Sequence, residues 1–105
     1  NALILPHVLR FNAPAAYNAY SEIAVDAFPH LDSITHGEER CARFITEIDA
    51  LIAKVRIPAR LRDVDIPESA IDKMAADAML QTRLLVNNPR EVTQEDARMI
   101  YRAAW

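Results

Sequence analysis

The chain has 105 residues, 51% of them apolar, with one glycine, one cysteine and a formal charge of −3. That length suits one domain or part of one, able to bury about 65% of the surface its unfolded form exposes. The acidic balance leaves no basic footprint for nucleic acid, lone Cys41 excludes an internal disulfide, and no apolar run approaches the roughly 20 residues of a membrane span.

Residues 1–12 crowd Leu3, Ile4, Leu5, Val8, Leu9 and Phe11 together. A chain end is normally polar and frayed, so this density reads as core material and Asn1 as a start inside a larger domain. The apolar side chains fall on more than one side of a helix, which predicts burial all round; Pro6 kinks the helix if it begins upstream. Asn12 then caps a second helix, with Ala13 and Pro14 in its first turn and Tyr17, Tyr20, Ile23, Ala24, Ala27 and Phe28 along its inner face. Pro29 limits that helix, and residues 30–34 read as loop.

Thr35 with Glu38 has the form of a capping box. Behind it Cys41, Phe44, Ile45, Ile48, Leu51, Ile52 and Val55 make a single apolar stripe at helical spacing. Ile57-Pro58 stops this helix, and residues 59–64 form a short turn carrying Leu61 inward. Asp65, Pro67 and Glu68 start the next helix, whose stripe is Ala70, Ile71, Met74, Ala75, Ala78 and Met79. Leu84-Leu85-Val86 is too short for its period to separate helix from extended chain. Asn87-Asn88-Pro89-Arg90 breaks the pattern. Thr93 with Asp96 caps a last helix, with Ala97, Ile100, Tyr101 and Ala104 inside. The fold class is all-α, with five or six helices.

Groups able to do chemistry are sparse. His7, His30 and His36 form no His-x-x-x-His pair that would share a helix face for a metal. His7, among apolar neighbours, reads as a buried histidine bonded to backbone; His30 and His36 read as solvated. Cys41 lies on the apolar stripe as a packed thiol, and Asp72 and Asp77 occupy a polar helix face. Glycine-rich phosphate loops and a Gly-x-Ser-x-Gly elbow are absent from the sequence.

Both ends of the chain carry a resemblance. Asn1-Ala2-Leu3-Ile4-Leu5-Pro6-His7-Val8-Leu9-Arg10-Phe11-Asn12 resembles a motif of iron-containing (group III) alcohol dehydrogenases. Asn88-Pro89-Arg90-Glu91-Val92-Thr93-Gln94-Glu95-Asp96, running on to Ala104-Trp105, is similar to that family's C-terminus. Between them, Ile57-Pro58 followed by Leu61, and residues 75–79, fit the same order.

The resemblance implies the C-terminal portion of the helical domain of a dehydroquinate synthase-like fold, with residues 1–105 as one partial helical domain. It implies a longer parent in which an N-terminal domain binds NAD or NADP and one Asp and three His hold a divalent metal, iron or zinc. All four ligand positions precede Asn1 in the family order. No catalytic, cofactor-binding or metal-ligating residue is therefore assigned here, and the chain alone is expected to be inactive and to bind neither group. The segment before the Asn-Pro-Arg motif, residues 82–87, faces the catalytic cleft in the family, so Leu84 and Leu85 are the candidate lining of a substrate pocket. A leucine at position 84, where some relatives carry a cysteine, makes that pocket more apolar. Arg90 is expected to bond carbonyls or a carboxylate.

The parent's partner would be a small alcohol or aldehyde in the cytoplasm, with no membrane or nucleic acid. If isolated, the chain would self-associate through its helical faces, above all one bearing Leu3, Ile4, Val8 and Phe11. Two alternatives stand beside this reading: a metal-independent branch resembling maleylacetate reductases, and a free-standing helical interaction module.

Overall fold

The apolar start of the chain becomes one long helix. The computed structural model describes residues 2–105; Asn1, with the reading of it as an internal start, lies outside them. Helix α1 runs over Leu5–Ala27, about 34 Å at the usual rise. Pro6 falls in its first turn, where a missing N–H costs nothing, so no kink arises there. The expected new helix at Asn12 does not occur. Pro14 lies inside α1, where its ring removes a donor and crowds the carbonyl four residues back. The backbone answers at Ala16 (φ −140°, ψ 20°), and the helix bends without ending. Asn12 is thus an interior residue and caps nothing. Nor is the first stretch buried all round: Leu3 and Pro6 are buried, Ile4, Val8, Leu9 and Phe11 half-buried, and Leu5 exposed.

Four further helices complete the all-α architecture: α2 (Gly37–Lys54), α3 (Ile71–Ala78), α4 (Thr82–Val86) and α5 (Gln94–Ala104). The expected loop after α1 is instead a 3-10 turn, Pro29–Ser33, which drives Leu31 to 1% exposure. Two more 3-10 turns, Leu61–Val64 and Glu68–Ala70, lead into α3. Leu61 is buried as expected.

Two hydrophobic centres result. In the first, α1 packs on α2 with Ala13 and Ala24 of α1, Leu31 of the 3-10 turn and Cys41, Phe44 and Ile45 of α2 buried together. The alanines let the two backbones approach, and the gap is filled by Phe44, whose ring centroid lies 6.4 Å from Tyr20 and 6.0 Å from Phe28. The stripe on α2 is only partly used, since Leu51 and Val55 near its end are exposed. In the second centre Leu3, Leu61 and Ala104 meet beneath Ile4, Met74, Tyr101 and Trp105, with α3 lying along α5. The Trp105 indole donates to the Ile66 carbonyl at 3.0 Å, and the Arg62 guanidinium sits 5.0 Å above its ring. The described chain measures 43 × 31 × 18 Å, and its radius of gyration of 14.6 Å exceeds the roughly 13 Å usual for this length. It is a flat, two-centred assembly.

The helix ends show which local signals act. At α5, Asp96 N–H donates to Thr93 Oγ1 (3.1 Å) and Thr93 N–H to Asp96 Oδ2 (3.0 Å), a complete capping box. The one expected at Thr35 and Glu38 does not form, because α2 starts after His36 with no side-chain cap. Arg40 organises this corner instead, donating to the Ile34 carbonyl (2.8 Å) and to Ser21 (3.3 Å). Past α2, Ile57 N–H reaches Ile52 O (3.1 Å) and Arg56 N–H reaches Ala53 O (3.1 Å), with Arg56 left-handed at φ 61°. That is a Schellman stop with arginine where glycine is usual.

These ends make two stability predictions. Thr93→Ala should lower the unfolding free energy by about 1 kcal/mol in urea titration. Arg56→Gly should raise it by roughly 0.5–1 kcal/mol, since relief of the left-handed penalty exceeds the added entropy of the unfolded chain. A loss of stability in Arg56→Gly would mean that the arginine side chain holds the turn by contacts of its own.

Candidate functional site

The first half of α1, α4 and α5 leave a space between them. It is an open cavity of about 340 Å³, lined on the α1 side by Ile4, Val8 and Phe11 and on the α5 side by Val92, Ile100 and Tyr101. Leu84 and Leu85 of α4 form the remaining wall. Neither leucine is core: Leu84 is 69% exposed and Leu85 half-buried. The expected face of Leu3, Ile4, Val8 and Phe11 is thus divided, with Leu3 buried in the second centre and the other three turned to this cavity. The size falls within the range typical of small-molecule pockets.

Its lining side chains with polar groups are the amides Asn12, Gln81 and Asn88 and the phenol Tyr101. Two of these amides answer each other. Asn12 Nδ2 donates to Asn88 Oδ1 and Asn88 Nδ2 to Asn12 Oδ1, both at 2.8 Å. Asn88 Nδ2 also reaches the Arg90 carbonyl at 2.6 Å. Arg90 donates to the Phe11 carbonyl (2.8 Å) and lies 4.0 Å over the Phe11 ring. It therefore bonds a carbonyl, as expected, but one on α1. Asn12 and Asn88 were not legible as partners, since 76 positions separate them and Asn12 reads locally as a helix cap. The sole signal was the Asn-Pro-Arg motif itself.

The histidines are scattered. His7 is half-buried rather than enclosed, and burial together with the nearby Arg10 cation pushes its pKa below the ordinary value, against a smaller pull from Asp49. His30 is exposed and lies 3.1 Å from Glu47 Oε1. His36 is exposed ahead of α2. Cys41 is a buried free thiol whose pKa burial raises, in keeping with a packing role. Asp77 pairs with Lys73 at 2.8 Å on the outer face of α3, and Asp72 is exposed there too. Among the described residues, no three His, Cys, Asp or Glu side chains gather where they could hold a metal ion. The donor set here does not fit a metal centre.

A model of the C-terminal part of the Fe-containing alcohol dehydrogenase family matches residues 1–105. Over all 105 residues the chain is 36% identical to lactaldehyde reductase of Escherichia coli (strain K12), covering 27% of that protein. It is 32% identical to long-chain-alcohol dehydrogenase 1 of Geobacillus thermodenitrificans (strain NG80-2), covering 26% of it. A crystal structure of 1,3-propanediol oxidoreductase superposes on the whole chain with a TM-score of 0.91 at 28% identity, over 27% of its own length. The chain thus spans about a quarter of the length of these relatives. No helix among the described residues is long and apolar enough to cross a membrane.

The shift at His7 has a direction that can be measured. Because its folded pKa is lowered, the unfolded chain binds the proton more readily; acidification through the histidine range costs stability, which returns as pH rises. A ring-proton NMR titration should place the His7 midpoint below about 6.5, the value for an unperturbed histidine.

Proposed function

This chain belongs to the Fe-containing alcohol dehydrogenase family, matching its C-terminal part over residues 1–105, and from that premise we propose that it is the helical C-terminal portion of an oxidoreductase interconverting alcohols with aldehydes or ketones. The reading extends to hydride exchange with NAD or NADP in the presence of a divalent metal, iron or zinc, in the cytoplasm. Both groups would be held by residues outside these 105. The contribution of this chain is then to bind and orient: the cavity bordered by Leu84 and Leu85 receives the carbon chain of the alcohol. The match over the whole chain carries this proposal, and the cavity supports it, since both candidate lining residues border it.

An apolar wall suits an alkyl substituent. Burying one methylene there is worth about 0.8 kcal/mol, so each carbon that fits should improve binding about fourfold. A second hydroxyl would find few groups to bond, because the two asparagine amides are turned on each other. The exposed Leu80, Leu84 and Val86 support a further proposal, that this edge is covered in the intact protein by its remaining portion, since the chain spans about a quarter of its relatives.

The intact protein should reduce NAD or NADP when given primary alcohols, and chelation of divalent metal should abolish the reaction. Turnover that survives chelation would favour the metal-independent branch of the fold. No turnover with any short or medium alcohol or aldehyde would sink the oxidoreductase reading. Leu84→Trp, which narrows the cavity, should raise KM for 1-hexanol by about tenfold while leaving ethanol nearly unaffected. Equal effects on the two alcohols would remove Leu84 from the pocket.

A further inference from the structure

Helix α4 is held in an unusual way. It has only five residues, too few to be stable alone, and none of them is buried. Leu84 and Val86 are mostly exposed, so side-chain packing contributes little to its position. On its leading side it continues from α3, with Leu84 and Leu85 N–H bonding the Gln81 carbonyl and Gln81 N–H bonding that of Ala78; what ties it to α1 is the turn behind it. Asn87 and Asn88 N–H groups continue from the Leu84 and Leu85 carbonyls at 3.2 Å, and Asn87 Nδ2 bonds the Arg83 carbonyl at 2.9 Å. This makes α4 and residues 87–88 one unit. That unit meets α1 at Asn12 through the reciprocal amide pair, and Arg90, whose carbonyl accepts from Asn88 Nδ2, meets α1 at the adjacent Phe11.

Two neighbouring points of attachment restrain rotation as well as distance. The amide pair is also difficult to open. Asn12 is 2% exposed, so separating it from Asn88 would leave a buried amide without partners or water. Arg90 lies outside this pair, stacked on Phe11, and its carbonyl receives the second N–H of Asn88.

We infer that Asn12, Asn88 and Arg90 are positioning residues: together they clasp α4 to α1 and so set Leu84 and Leu85 as a wall of the substrate cavity. This rests on the reading of that cavity as the seat of the alcohol's carbon chain. The clasp touches no reacting atom in this account. Its loss releases the wall, which weakens ground-state and transition-state binding alike and leaves the chemical step unaltered.

The test uses the intact protein and its Asn88→Ala, Arg90→Ala and doubly substituted forms, with 1-hexanol as probe. Arg90 is exposed, so its truncation spares the hydrophobic centres. Amide hydrogen exchange over residues 82–88 should accelerate about tenfold or more in each variant, with α2 unchanged. KM for 1-hexanol should rise about five- to tenfold with kcat held within about twofold, and the double variant should be scarcely worse than the poorer single one, as befits one device. Unchanged exchange over 82–88 would overturn the clasp. Faster exchange with an unchanged KM would overturn its role in substrate binding, as would a loss confined to kcat. If the unsubstituted protein turns over no alcohol, the oxidoreductase reading fails by itself, and the exchange data still judge the clasp.

Discussion

The bend in α1 is the constraint on which the remaining arrangement depends. A straight helix of this length presents one face to one partner. Pro14 and the non-helical Ala16 bend α1 near the middle, so that Leu9, Ala13, Tyr17, Tyr20 and Ala24 lie in the centre shared with α2 while Val8, Phe11 and Asn12 border the cavity beside α5. One continuous element thereby serves the first hydrophobic centre and the cavity, while Leu3 and Ile4 just ahead of it enter the second centre. Small residues make the arrangement possible: Ala13, Ala16 and Ala24 are buried on α1, and Ala97 and Ala104 on α5. Larger side chains at these positions would push the helices apart and dismantle both centres at once.

The cavity follows from the same geometry. Where the first half of α1 diverges from α5, the short α4 is the nearest element, and it cannot fill the space. The result is a largely apolar wall, aliphatic and aromatic, in which the Asn12 and Asn88 amides satisfy each other. Such a lining offers no carboxylate, imidazole or thiol. The acids, bases and thiol of the chain are elsewhere, paired on outer faces or buried in packing.

Legibility differed from residue to residue for physical reasons. The Thr93–Asp96 box was readable because both partners lie within one turn and compete with nothing else. The same pattern at Thr35 and Glu38 failed because a long-range partner intervened: Arg40, bonded to Ile34 and Ser21, fixes that corner without a side-chain cap. The stop at Ile57-Pro58 was plain, yet the left-handed Arg56 was not, since arginine carries no mark of that conformation. Leu84 and Leu85 were picked out through a family resemblance; their period alone left them ambiguous.

The sequence by itself determined the helical class, the register of the α2 and α3 stripes and the final cap, because each depends on contacts within a few residues. It also determined the family, through motifs at both ends in the right order. Only the tertiary structure decided that Asn12 faces Asn88, that Pro14 bends a helix which Pro6 does not, and that the first apolar stretch divides between a core and a cavity. The amide pair and the divided stretch join residues dozens of positions apart, and their energies exist only once the helices have met.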